Sequence, residues 1–282
     1  MSNWQNLIRF TATNGKVYFS PLASTDDLSQ IVNAEVTGYL TVADLEHAQN
    51  GQKITMKQLL APIPYSDGHI ICIGVNYSEH AAEANLKVPE DPVMWYKPRK
   101  ALGPPGVVDI PRAAAEGFLD FEGELTIVTS KEARDVNIED AEDYILGYTV
   151  GNDLTARAFQ DPVRSGGQFT RCKAFDGFAP LGPVLTSAKA FGSLQGKTIV
   201  TKVNGKVFQD SPINLINDPA KLISFLSQGV TLPAGSCIMT GSPPGIGFFQ
   251  KPKYSLQDND VVDITITSIG TLSNTMRFEK KA

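Results

Sequence analysis

The residues most able to do chemistry lie in FLDFEGELTIV, residues 118–128. In an extended strand, alternation puts Leu119, Phe121, Leu125 and Ile127 on one face, and Asp120, Glu122, Glu124 and Thr126 on the other. Glu122 and Glu124 then point the same way. Alone, a Glu-x-Glu pair reads more readily as the solvent face of an antiparallel edge than as a site. Asp153 supplies a third carboxylate. It ends the apolar run YILGYTVGND and precedes LTARAFQD, a stretch able to begin a helix that Asp153 could equally cap. Three converging carboxylates repel one another unless a cation neutralises them, and hard oxygen ligands select Mg²⁺, with Mn²⁺ or Ca²⁺ as substitutes. Three protein ligands leave octahedral positions open to a chelating substrate.

The elements that must position these groups are mostly strands. LIRFTATNGKVYFSPL is two alternating runs around Asn14-Gly15, a hairpin signature. A short helix is expected near Thr55 to Leu60, and the prolines and glycine of APIPYSDG mark a linker, which puts a domain boundary near residue 68. His69 to Gly74 suits a buried strand, and Asn76 to Asn85 a short helix. Further strands are expected in the two acidic segments, in KTIVTKVNGKVFQ with its Asn204-Gly205 turn, and in VVDITITSIGTLSN. One helix is well signalled: Asp218 caps it, Pro219 starts it, Leu222, Phe225 and Leu226 form its apolar stripe, and Gly229 ends it. The reading is a strand-rich α+β chain, with a small N-terminal β-containing domain at 1–68 and a larger domain at 69–282. The strand spacing yields no regular βαβ units, which argues against a doubly wound sheet.

Composition removes several function classes. A net charge of -5 over 282 residues lacks the basic footprint of a nucleic-acid binder. No apolar run approaches the roughly 18 residues of a membrane span. Cys72, Cys172 and Cys237 form neither a disulfide framework nor a zinc pattern, which fits a reducing compartment. The expected setting is cytoplasmic. Arg9 and Lys16 alone give a mitochondrial transit segment little support, and that remains the alternative.

Taken in order, FEGEL (121–125), GYTVGNDLTAR (147–157), KAFDGFAPLGP (173–183), VNGKVFQ (203–209) and TGSPPGIG (240–247) resemble the motifs of the fumarylacetoacetate hydrolase family. The resemblance spans roughly residues 69 to 282. It implies a mixed β-roll, usually dimeric, with a metal at its mouth held by Glu122, Glu124 and Asp153. It also implies a substrate site lined by Arg157, Gln160, Lys173, Thr240 and Gly241, with Lys97 a further candidate for the substrate carboxylate. GVNYSEHAAE is similar to the family's lid helix, whose acid-base pair would be His80 and Glu83. Positions three apart on a helix share a face, so Glu83 can orient the imidazole of His80. Lys173 would stabilise negative charge developing on substrate oxygen. TGSPPGIG is not a dinucleotide fingerprint, because its prolines and late position do not suit a strand-turn-helix unit.

These parts point to metal-dependent cleavage of a carbon-carbon bond in an acylpyruvate-type 2-oxo acid. The same parts could tautomerise or decarboxylate oxaloacetate, and the segment TGSPPGIGFFQKPKYSLQDND resembles members linked to tautomerisation. A non-catalytic, ion-binding member is the third reading. Thr129-Ser130-Lys131, Ala158 and Phe169 depart from the family pattern without touching a proposed ligand, and they leave the substrate open.

Overall fold

A computed structural model of the chain describes residues 3–25 and 28–280. In chain order its strands are β1 (Asn6–Ala12), β2 (Val17–Leu22), β3 (Glu35–Gly38), β4 (Gln52–Leu60), β5 (Ile70–Gly74), β6 (Val93–Lys97), β7 (Leu102–Gly103), β8 (Gly106–Ile110), β9 (Leu119–Asp120), β10 (Gly123–Thr129), β11 (Ile145–Asn152), β12 (Thr155–Ala156), β13 (Ala179–Ser187), β14 (Thr198–Val203), β15 (Lys206–Pro212), β16 (Cys237–Met239), β17 (Val261–Ile266) and β18 (Gly270–Phe278). The larger sheet runs β3-β4-β1-β13-β11-β10-β16-β5-β6, with β2 on β1 and β7 on β13; the smaller runs β15-β14-β17-β18-β8; β9 and β12 form a separate pair. The pairs β16–β5, β13–β7 and β18–β8 are parallel, so the strand-rich α+β architecture is mixed. Among the described residues, no helix is long and apolar enough to cross a membrane.

The two sheets face one another where β13 packs on β18, β11 on β17 and β10 on β14. Every residue of β10 and of β13 is buried, because both faces of the larger sheet are covered. Leu125 and Ile127 of β10 enter the core shared with Ile264, Leu272 and Met276 of the smaller sheet, while Val128 joins Met239, Cys72 and Leu181 on the opposite face. Alternation therefore commits the acidic segment to a fully buried strand.

The N-terminal hairpin forms as expected, and at the second turn Asn204 and Gly205 both take positive φ. Residues 55–60 are not helical: they belong to β4, whose edges are taken by β1 and β3, so tertiary pairing overrides local propensity. The stretch after Asp153 is likewise no continuous helix but β12 followed by one 3-10 turn, Arg157–Phe159. Helix Pro219–Ser227 begins on Asp218, whose carboxylate accepts from the amide of Lys221, and Gly229 follows its end at positive φ. Its buried stripe is Leu222, Ile223 and Leu226, and Phe225 lies on the exposed side. The strand expected through 118–128 is broken at Phe121 and Glu122, where the chain leaves β9 for β10.

Ile127→Ala should lower the unfolding free energy by about 2–5 kcal/mol, the usual cost of a cavity in a closed core. Denaturant unfolding checks it, and an unchanged midpoint would contradict the packing described.

Candidate active site

Register assembles the acidic site. β10 and β11 pair antiparallel with Gly123 opposite Asn152, and the ladder continues one step further through the Asp153 amide, which donates to the Glu122 carbonyl at 2.9 Å. Asp153 thus sits beside Glu122, and Glu124 lies two residues along the strand. One carboxylate oxygen from each of Glu122, Glu124 and Asp153 lies within 4.8 Å of the others, and all three residues are buried.

Four buried carboxylates, counting Asp120, share this region with three buried cations, Lys97, Arg157 and Lys173. Lys173 Nζ donates to Glu122 Oε2 and to Asp153 Oδ2, both at 2.6 Å. Lys97 pairs with the other oxygen of Asp153 and donates to the carbonyls of Leu154 and Phe178. Arg157 spans Asp120 (2.8 Å), Glu122 and Gln160 Oε1 (2.9 Å). The carboxylate left over is Glu124, whose one hydrogen bond among the described residues comes from the amide of Gly241 at 3.0 Å.

The ionisation pattern follows from this arrangement. Burial raises the carboxyl of Glu122, but Lys173 and Arg157 more than offset it and hold the group at about 2. Burial raises Glu124 well above the usual carboxylate range, and the charges of Asp153 and Glu122 add to the rise. For Lys173, burial is outweighed by Asp153 and Glu122, so its ammonium is held charged. With four carboxylates against three cations, ionising Glu124 leaves one negative charge in excess at three converging oxygens, which fits a hard divalent cation held by Glu122, Glu124 and Asp153.

The loop 240–248 closes the site through its backbone. Gly241 donates to Glu124, Gly245 to Glu83 at 3.0 Å, Gly247 to Asp120 Oδ1 at 2.8 Å and Phe248 to Asp120 Oδ2 at 3.1 Å. Gly241 and Gly245 both sit at positive φ, and an added Cβ would lie 2.9 Å from Asn76 Cβ and 2.1 Å from the Phe208 carbonyl oxygen respectively. The Thr240 hydroxyl is turned inward and donates to the Leu125 carbonyl at 2.9 Å.

Helix Ser78–Glu83 carries the other expected pair, with His80 Nδ1 3.1 Å from Glu83 Oε2. The His80 ring stands edge-on to Phe249, ring centroids 5.8 Å apart, so both members of the pair touch the loop. The structure thus places Lys97, Glu122, Glu124, Asp153, Arg157, Gln160, Lys173 and Gly241 in one cluster of ion pairs and hydrogen bonds, with Thr240 bonded to Leu125 beside it and His80 and Glu83 against Phe249 and Gly245.

Three polar residues at the site had no role assigned from the sequence. Asp120 joins Arg157 to the loop; Gln209 accepts from the Gly123 amide at 3.0 Å and donates to Ser242 Oγ at 2.8 Å; Asn76 is fully buried and bonded to Thr240. Each lay inside a quoted motif, and the signal available was a polar side chain in an apolar run.

The family model for the fumarylacetoacetate (FAA) hydrolase C-terminal region matches residues 69–277. The chain belongs to the fumarylacetoacetate hydrolase family. It is 38% identical over 218 residues to the mitochondrial oxaloacetate tautomerase fahd2 of Xenopus laevis, covering 77% of this chain and 67% of that protein. It is 35% identical over 294 aligned residues to the caffeoylpyruvate hydrolase of Neonothopanus nambi, covering 99% and 95%. A solved fumarylpyruvate hydrolase from Pseudomonas aeruginosa, in complex with Mn²⁺ and pyruvate, superposes with a TM-score of 0.68 at 29% identity, covering 79% of this chain and 92% of that one. Within the family these relatives are enzymes, and the buried carboxylate triad of the chain falls inside the matched region.

A carboxyl raised in the folded state costs stability as pH climbs from its unfolded value near 4.5 toward its folded value, whereas Glu122, lowered to about 2, contributes stability that is lost as pH falls from 4.5 toward 2. In ion-free protein at pH 7, Glu124→Gln should therefore raise the melting temperature, by about 2–4 °C for each kcal/mol of relieved repulsion. Calorimetry with EDTA checks the sign, and a lowered midpoint would show that Glu124 is not the surplus charge.

Proposed function

We propose that the chain is a Mg²⁺-dependent hydrolase that cleaves a carbon-carbon bond in an acylpyruvate-type 2-oxo acid. The observation that carries this reading is the uncompensated carboxylate at the buried triad of Glu122, Glu124 and Asp153. A divalent ion bound there, Mg²⁺ or in its place Mn²⁺ or Ca²⁺, supplies Lewis-acid polarisation of the substrate's carboxylate and 2-oxo oxygens. With it the cluster moves from one negative charge in excess to one positive, which suits a small anionic acid. The relatives named for caffeoylpyruvate and fumarylpyruvate hydrolysis support the substrate class.

The chain's own residues supply the rest. Glu83 accepts from Nδ1 of His80 and is itself fixed by the Gly245 amide, so Nε2 is the nitrogen left to take a proton. His80 takes that proton from water as the oxygen adds to the distal carbonyl. The carbon-carbon bond then breaks, its electron pair passes to the pyruvate fragment as an enolate, and the proton on His80 returns to the enolate carbon. Lys173, held charged between Glu122 and Asp153, stabilises the enolate oxygen. Arg157, Gln160, Lys97 and the Thr240-Gly241 turn form the wall against which the carboxylate end is oriented. The reading also includes a homodimer, a division of the chain near residue 68, and a cytoplasmic or mitochondrial setting, as the family suggests.

The second reading is oxaloacetate tautomerisation or decarboxylation, favoured by the Xenopus relative. Tautomerisation moves a proton between carbon and the enol oxygen, and decarboxylation releases CO₂ and then protonates the enolate carbon left behind; neither needs an attacking water. The third, an ion-binding member without turnover, predicts no activity on either substrate class.

A panel of acylpyruvates and oxaloacetate, assayed with and without EDTA, tests all three; turnover indifferent to chelation would overturn the metal assignment. His80→Ala should lower hydrolysis by about 10²–10⁴-fold, and an unchanged rate would remove His80 from the mechanism. Lys173→Met should reduce kcat by about 10²–10³-fold, if its charge faces the developing oxyanion.

A further inference from the structure

Asn76 is fully buried, and every hydrogen-bonding position of its side-chain amide is used. Nδ2 donates to the Thr240 carbonyl at 2.8 Å and to the Asn217 carbonyl at 3.1 Å, while Oδ1 accepts from the Asn217 amide at 2.7 Å and from Asn217 Nδ2 at 3.0 Å. Its own carbonyl accepts from the Ile216 amide at 2.9 Å. Two acceptors on one side and two donors on the other fix the amide in a single orientation.

What it joins is unusual. On its N-terminal side Val75 sits at φ 55°, a left-handed conformation disfavoured for a β-branched residue, so the chain enters the helix of His80 through a strained joint. On its C-terminal side Tyr77 caps that helix with no side-chain bond, its buried hydroxyl without a partner among the described residues. The Thr240 carbonyl that Asn76 holds belongs to the residue before Gly241, whose amide is the one hydrogen-bond donor to Glu124 among the described residues. The Thr240 amide and hydroxyl in turn both bond Leu125, the residue after Glu124.

We infer that Asn76 is a positioning residue that locks the root of the helix bearing His80 to the turn that aims Glu124, so that ion binding at the triad and docking of that helix are coupled. The inference rests on the triad binding a divalent ion, as proposed above. Drawing Glu124 toward a cation fixes Gly241 and Thr240; through Asn76 this holds residues 75–77 in their strained path. Because coupling of two binding equilibria is reciprocal, a docked helix must also tighten ion binding.

The test uses the full chain with Mn²⁺ as the probe. Mn²⁺ affinity is measured by calorimetry, and amide hydrogen exchange is followed at residues 75–84 without any substrate. Mn²⁺ should slow exchange there by about tenfold, within the usual range of couplings between sites. Asn76→Ala should bind Mn²⁺ about tenfold more weakly, as loss of a supporting hydrogen bond does, and at saturating Mn²⁺ should lack the protection of 75–84. Protection retained in Asn76→Ala, or Mn²⁺ bound by the natural chain with no change in exchange at 75–84, overturns the inference while leaving the proposed function standing. Should Asn76→Ala not fold, the natural chain decides alone by that second comparison. A chain that binds no Mn²⁺ at all refutes the proposed function first and this coupling with it.

Discussion

The constraint on which the rest of the structure depends is a shortage of positive charge in a place with no water to make it up. Lys97, Arg157 and Lys173 satisfy Asp120, Glu122 and Asp153 between them, and among the described residues Glu124 has no ion pair of its own. Transferring a carboxylate into a buried site without a counter-ion is costly enough that such a group ordinarily neutralises itself by holding a proton. Asp153 and Glu122 strengthen that tendency in Glu124, and a doubly charged ion at the three oxygens would take the proton's place. Removing any one of the three cations would enlarge the deficit and leave a buried carboxylate unpaired.

The sheets exist in the form they do because that charge must be rigidly surrounded. Strand β10 is covered on both faces, and the triad stands where β10 and β11 emerge from the covered region. Close-packed cores on either side keep the carboxylates from relaxing apart, and the pairing of Gly123 with Asn152 fixes which residues meet. A slip of one residue would turn Glu124 toward the opposite core.

Much of this was legible in the amino-acid sequence, and the failures have physical causes. The period-2 pattern of 118–128 correctly grouped Glu122 with Glu124, yet did not show the break at Phe121, because the chain changes sheets there for reasons of tertiary pairing. Residues 55–60 looked helical and became the C-terminal part of β4, since β1 and β3 offered backbone partners that local propensity does not see. In helix Pro219–Ser227 the cap and the first proline were readable, but the buried stripe shifted to include Ile223 in place of Phe225. The pairing of Lys97 and Lys173 with Asp153 had no sequence signal beyond the motifs around them. Asn76 was invisible as a structural bond, because the sequence placed it at the start of the helix expected from Asn76 to Asn85, whereas that helix begins at Ser78.

One backbone segment, 240–248, gives its amides to Glu124, Glu83 and Asp120 in turn. A single insertion or deletion there would misregister all three carboxylates at once, so this stretch has almost no freedom to drift in length or sequence.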